Sequence, residues 1–284
     1  MAGSVHYGDI PEEFRDPHTA RVVILPVPYD GTSTWIKGAD KGPEALLTAS
    51  ANMELYDIEC DSQVYQVGIF TDAPITDLAS PQSMLDAVCG RVEPYLANDR
   101  FIGVIGGEHS VSIGAIRAHA NHYEDLTVLQ LDAHSDLRDE YEGSRYNHAC
   151  VMARARELCP IVQVGIRSMC EEEKDGMDPR RVLVSDTAQQ RHDWPEKVLS
   201  LLTARVYLTL DLDVFDPAIM PSTGTPEPGG LGWHEVLRIL KLVIDQRELV
   251  GFDVVELCPN PDNPAPDFLA AKLVYKILTY KFKR

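Results

Sequence analysis

The chain lacks any stretch approaching ~18 consecutive apolar residues, which argues against a membrane-spanning helix and a membrane partner. Its opening residues, MAGSVHYGDIPEEF, lack the basic and apolar regions of a secretory signal. The six cysteines, Cys60, Cys89, Cys150, Cys159, Cys170 and Cys258, lack CxxC spacing. In a chain this size they read as reduced, mostly buried small hydrophobes rather than a disulfide framework. These absences point to the cytoplasm. Basic residues are scarce too: 26 against 44 acids, a formal net charge of -18. That argues against a binder of phosphate backbones, so no nucleic-acid partner is expected, and it favours small cationic substrates or metal ions. No low-complexity linker divides the sequence. At 284 residues, 44% hydrophobic and 25% charged, the chain reads as one large domain spanning residues 1–284.

What is present is an alternation of short apolar strands with helices. ARVVILPVPYD (20–30), RFIGVIGGEHS, DLTVLQLDAHSD, CPIVQVGIRSM, RRVLVSD, RVYLTLDLDVFDP and ELVGFDVVELCPN read as strands, with VYQVGI a weaker candidate. SVSIGAIRAHANHY, PQSMLDAVCGRVEPYL, WPEKVLSLL, GWHEVLRILKLVI and DFLAAKLVYKILTYKF read as helices. Near-continuous apolar strands alternating with helices predict an α/β fold with a mostly parallel sheet covered on both faces. In such folds ligands collect beyond the carboxyl ends of the strands, where polar residues repeatedly fall here. The glycine- and proline-rich DPAIMPSTGTPEPGGLG (216–232) reads as a structured loop.

Three strand ends carry the chemistry. Gly106-Gly107-Glu108-His109-Ser110 lies at a strand-to-helix turn. Asp132, His134 and Asp136 stand at alternate positions, which on an extended strand share a face. Asp211 and Asp213 repeat that arrangement, with Asp216-Pro217 closing the turn. Carboxylates buried together repel one another unless cations are present. Two divalent metals would resolve the conflict, with Asp132 and Asp211 placed to bridge them. Mixed oxygen and nitrogen ligation suits manganese, with zinc, iron and nickel as alternatives. A metal pair about 3.5–4 Å apart would hold a bridging water as hydroxide at neutral pH, the nucleophile of a metal-assisted hydrolysis. A phosphatase or an amidohydrolase would need similar apparatus. The remaining histidines, His6, His18, His119, His122, His192 and His234, have no ligand-like context.

GGEHS, LDAHSD and LDLDVFDP resemble, in order and spacing, the three metal signatures of the ureohydrolase family, which includes arginases and agmatinases. The resemblance runs from PVPYDGTSTW and GADKGP near the start to GFDVVELCP near the end. It implies a three-layer α/β/α sandwich around an eight-stranded parallel sheet, two manganese ions per subunit, and a homo-oligomer, trimer or hexamer. Carried onto this chain, one metal takes His109, Asp132, Asp136 and Asp211, and the other takes His134, Asp132, Asp211 and Asp213. The bridging hydroxide would attack the guanidinium carbon of the substrate, releasing urea and an amine. His148, in EGSRYNHAC, matches the family's proton-relay histidine; an imidazole titrating near neutrality suits protonation of the departing amine. Glu256, in VVELCP, matches the glutamate that receives the guanidinium. Gly42-Pro43 fits the family pattern as a turn and helix start, while Asp30 and Glu227 are candidates to line the cavity or brace its loops.

Arginases typically carry asparagine two residues after the DAHxD aspartate; here that position is Arg138, and GSRYNH resembles agmatinases. The expected substrate is therefore agmatine, cleaved to putrescine and urea. Asp139 and Glu142 are candidates to receive its amine tail, and Arg145 is a further candidate contact at the distal end. The first alternative is N1-aminopropylagmatine, giving spermidine. Guanidino acids, which would want a cation such as Arg138 or Arg145, come next. A non-enzymatic metal-binding regulatory or assembly protein is the alternative of a different class.

Overall fold

Strands β1 (Val22–Val27), β3 (Phe101–Gly106) and β4 (Leu126–Leu131) are buried at every position, as a sheet covered on both faces requires. They belong to a computed structural model that describes residues 6–185 and 192–283. With β2 (Ile69–Thr71), β5 (Ile161–Ile166), β6 (Val182–Val184), β7 (Arg205–Asp211) and β8 (Glu248–Val255) they form one eight-stranded sheet, ordered β2-β1-β3-β8-β7-β4-β5-β6. Every pairing in it is parallel.

Helices fill the outer layers. α1 (Gly42–Ser50), α6 (Trp194–Leu201), α7 (Trp233–Gln246) and α8 (Ala265–Phe282) pack Leu46, Val198, Leu240 and Leu273 into one apolar layer. α2 (Pro81–Leu96), α3 (Ser112–His122) and α4 (Val151–Ala155) pack Met84, Ile116 and Met152 into the other. The short α5 spans Glu171–Lys174. The result is a three-layer α/β/α sandwich. α2 begins where the sequence places it: Ser80 accepts from the Ser83 N–H, and Pro81 occupies a first-turn position that needs no donor. Among the described residues, no helix is long and apolar enough to cross a membrane.

One expectation shifts. In VYQVGI, residues Val64–Val67 form a 3-10 turn, and the strand starts at Ile69 once Gly68 (φ 82) has redirected the chain. The turn and helix start expected at Gly42-Pro43 is present: a 3-10 turn over Ala39–Lys41 leads into α1. The loop at 216–232 is structured: a bridge between Phe215 and Leu231 closes it, and the Asp216 carboxylate accepts from the N–H groups of Ala218, Gly229 and Gly230. Asp186, the last residue of RRVLVSD, lies outside the described residues.

The strand order locates the site. β3 and β4 are consecutive in the chain, yet β8 and β7 lie between them. Their connection must therefore step across the sheet, and a crevice opens above the carboxyl ends of β3, β8, β7 and β4.

Candidate metal centre

Each of those four ends contributes to one constellation. At the end of β3, a Cβ on Gly107 would lie 2.0 Å from the Tyr29 carbonyl oxygen. Only glycine lets the ends of β1 and β3 approach this closely. The Gly107 N–H donates to Val27 O (2.8 Å) and the Glu108 N–H to Tyr29 O (2.8 Å), aiming His109 into the crevice. β4 stops at Leu131, so Asp132, His134 and Asp136 lie beyond it rather than on it. His134 stays in partial register through a bridge to Ser168, whereas Asp136 turns back with a left-handed backbone, φ 51. At the end of β7, the Asp211 carboxylate accepts from the Asp213 N–H (2.8 Å), and that of Asp213 accepts from the Ala133 N–H (3.0 Å).

The six expected ligands converge. His109 Nδ1 lies 3.0 Å from Asp132, 3.1 Å from Asp136 and 3.3 Å from Asp211. His134 Nδ1 lies 2.8 Å from Asp213 and 3.7 Å from Asp132. Two candidate metal-binding clusters result, His109–Asp132–Asp211 and Asp132–His134–Asp213, each with ligand atoms within 4.8 Å of one another and with Asp132 common to both. His109 Nδ1 is buried and makes no hydrogen bond despite its three carboxylate neighbours. A ring nitrogen facing three carboxylates without a hydrogen bond is the geometry of a cation ligand, so the residues fit a divalent pair.

The surroundings orient these groups. His109 Nε2–H donates to Thr209 Oγ1 (2.9 Å), Thr209 donates to Asp253 (2.7 Å), and the Tyr207 hydroxyl donates to the other Asp253 oxygen (2.8 Å). This chain leaves His109 Nδ1 bare for a metal. Gln130 donates to Asp132 (2.6 Å), and the guanidinium of Arg167 binds the carbonyls of Asp213 (2.6 Å) and Glu227 (2.8 Å), tying the third segment to the 216–232 loop. Burial, then repulsion from Asp213 and Asp136, pushes the Asp132 carboxyl up to about 7. Burial and the same kind of repulsion raise Asp211. Burial raises Asp213 as well, but His134 outweighs it and holds that carboxyl at about 2. Gln130, Thr209 and Asp253 did not stand out in the sequence, because a polar residue inside an apolar strand has no local signature, and Arg167, just past β5, has carbonyl partners 46 and 60 positions away.

A cavity of about 260 Å³ opens over the ligands, with His148, Glu256, Arg138, Tyr141, Met169 and Thr225 in its walls. Glu256, with φ 66, accepts the His109 N–H on its carboxylate (2.6 Å). Burial, then the Glu108 charge, raises its pKa. The Arg138 guanidinium lies 4.3 Å from the Tyr141 ring centroid and 4.0 Å from Glu173.

Three distal candidates are not brought to this cavity. Asp139 and Arg145 pair with each other at 3.0 Å, and each also meets another partner, Arg154 (2.5 Å) for Asp139 and Glu157 (3.0 Å) for Arg145. Glu142 occupies an exposed hairpin turn with φ 48. A tight turn closed by a bridge between Tyr141 and Ser144 holds this segment. Asp30 braces a loop, accepting from the N–H groups of Gly38 (2.6 Å) and Ala39 (3.2 Å), and Glu227 stands 4.0 Å from His134 Nε2. A third acidic group, Asp57 with Glu59 and Cys60, is already paired with two lysines: Lys276, 2.9 Å from Asp57 and 2.7 Å from Glu59, and Lys241, 2.6 Å from Glu59.

A family model described as "Arginase family" matches residues 20–279. The N(1)-aminopropylagmatine ureohydrolase of Synechocystis sp. is 40% identical over 273 residues, covering 92% of this chain and 89% of the relative. The enzyme of the same name from Thermus thermophilus is 38% identical, covering 92% and 90%. Among solved structures, the agmatine ureohydrolase of Thermoplasma volcanium superposes with a TM-score of 0.85 at 32% identity, covering 93% of this chain and 91% of that one.

Proposed function

Because the chain belongs to the arginase family, we propose that it is a metal-dependent ureohydrolase that cleaves N1-aminopropylagmatine to spermidine and urea. The observation that carries the choice of substrate is the name shared by the Synechocystis and Thermus relatives. Agmatine, the substrate expected from the sequence, becomes the second reading, supported by the similarity to the Thermoplasma agmatine ureohydrolase. The guanidino-acid reading loses ground, since the cation of Arg138 rests on Tyr141 near Glu173. A degenerate regulatory protein would have no need to keep six converging ligands.

In this reading His109, Asp132, Asp136 and Asp211 hold one manganese, and His134, Asp132, Asp211 and Asp213 the other. When bound, the metal pair offsets the clustered negative charge and makes water acidic enough to act as a nucleophile near neutral pH. Glu256 receives the guanidinium: a half-buried carboxylate disfavoured as a lone anion is stabilised by a planar cation. His148 gives the departing amine its proton. A homo-oligomer, trimer or hexamer, of single-domain subunits acting in the cytoplasm belongs to the same reading.

Urea release after manganese loading tests it, comparing kcat/KM for N1-aminopropylagmatine, agmatine, L-arginine, guanidinobutyrate and guanidinopropionate. At least a roughly 10-fold preference for the aminopropylated compound over agmatine is expected. Preference for agmatine would install the second reading, and preference for arginine would sink both.

A further inference from the structure

Between the cavity and the end of β1 lies a hydrogen-bonded chain to which the metal chemistry assigns no part. Glu108 has a side chain fully out of solvent. One of its oxygens takes the N–H groups of Thr32 (2.6 Å) and Ser33 (2.8 Å) and the Ser33 hydroxyl (3.3 Å). The other takes the hydroxyls of Thr32 (2.6 Å) and Ser110 (2.5 Å). Every one of these partners can donate, so Glu108 serves as the acceptor throughout. The single hydroxyl proton of Thr32 is thereby committed to Glu108.

Thr32 Oγ1 keeps two lone pairs, and both face His148. One accepts the His148 backbone N–H at 2.9 Å; the other lies 3.1 Å from His148 Nδ1. An oxygen with no proton left to give can only accept, so Nδ1 carries the ring's proton and Nε2 is the bare nitrogen.

We propose that Thr32 and Glu108 are positioning residues that lock neutral His148 in the Nδ1–H tautomer, so that Nε2 alone exchanges protons with the cavity. The proposal rests on the ureohydrolase reading for its kinetic consequence, though not for the tautomer itself. During turnover the Nε2–H bond of the imidazolium breaks as the nitrogen of the departing amine gains that proton. The C–N bonding pair stays on that nitrogen, and Nδ1 keeps its own proton on Thr32. His148 then regains a proton from water on the same Nε2, with no ring flip between cycles.

Neutron diffraction from metal-loaded crystals, at a pD about two units above the ordinary imidazole pKa, reads the tautomer directly. Deuterium on Nδ1 is expected, and deuterium on Nε2 alone would overturn the proposal whatever the substrate proves to be. Kinetics supply the second arm, using whichever guanidino compound the wild type hydrolyses. Thr32→Val should lower kcat on the order of 10- to 100-fold, within the span of general acid catalysis, with KM and bound-metal content held within about 3-fold. Thr32→Ser, which keeps the hydroxyl, should restore kcat to within about 3-fold of wild type. Wild-type kcat in a folded Thr32→Val enzyme, or failure of Thr32→Ser to rescue, would overturn the positioning role. A wild type inactive on every guanidino compound would instead defeat the functional reading, leaving the neutron result to decide the tautomer.

Discussion

His109 is held by opposite demands on its two ring nitrogens. Nδ1 faces three carboxylates, while Nε2 is tied through Thr209 to Asp253 and Tyr207. Thr209→Val cuts that tie without changing side-chain volume much, and should weaken metal binding at the His109 site by roughly 10- to 100-fold. The second metal, held by His134 and Asp213, should be retained, so a calorimetric titration should resolve one weakened site and one unchanged. Equal weakening of both would contradict the assignment of His109 to a separate metal. The six candidate ligands were legible in the sequence because aspartate and histidine are conspicuous at the end of an apolar strand. Thr32, Thr209 and Asp253 were not, because their importance lies in partners far along the chain. Asp139 and Arg145 illustrate the reverse: their charge suggested a cation or anion site, but each satisfies the other at the surface.

The elements that carry these residues depend on backbone contacts that only particular glycines permit. Gly107→Ala would drive a Cβ into the Tyr29 carbonyl, a backbone atom that cannot swing aside. The β1 and β3 ends must then separate, at a cost of about 1–3 kcal/mol or more, with loss of high-affinity metal binding. Gly90, inside α2 with nothing within 4 Å of a built Cβ, marks the contrast. Gly90→Ala should stabilise the protein by about 0.5–1 kcal/mol in denaturant titrations with activity unchanged. A Gly107→Ala protein as stable and as metal-avid as wild type would contradict the close approach of the β1 and β3 ends. At this scale most strands and the long helices were readable from apolar periodicity. The segment 64–71 was not, since Gly68 resets the direction of the chain between its apolar residues. The alternate spacing of Asp132, His134 and Asp136 suggested one strand face. Their convergence instead needs the left-handed backbone of Asp136 beyond the strand.

Taken as a whole, the molecule concentrates negative charge at one end of its sheet and should respond to pH through that charge. Asp132 titrates near 3.8 when unfolded and at about 7 when folded and metal-free, and Asp211 is raised too. The metal-free fold therefore binds more protons than the unfolded chain, and loses stability as the pH rises from about 4 to about 7. Burial disfavours charged His109 and His134, but the surrounding carboxylates outweigh it and raise both above 6.5. Their contribution is complete below that value and is lost as the pH climbs past their folded values. Asp213, held at about 2, works the other way only as the pH falls below its ordinary 3.8. Metal binding needs these ligands deprotonated, so each proton released strengthens it by about 1.4 kcal/mol per pH unit. The gap in Tm between manganese-loaded and chelated protein should widen from about pH 5.5 to about pH 8. A gap independent of pH would contradict ligation by the raised carboxylates. From sequence alone came the α/β class, the parallel sheet and the six candidate ligands, because periodicity and residue chemistry are local properties. Only the tertiary structure decided which strands lie side by side, which acids face the cavity, and which nitrogen of His148 bears its proton. Those depend on strand order and on hydrogen bonds between residues separated by 76 or 116 positions, distances over which one-dimensional spacing carries no geometry.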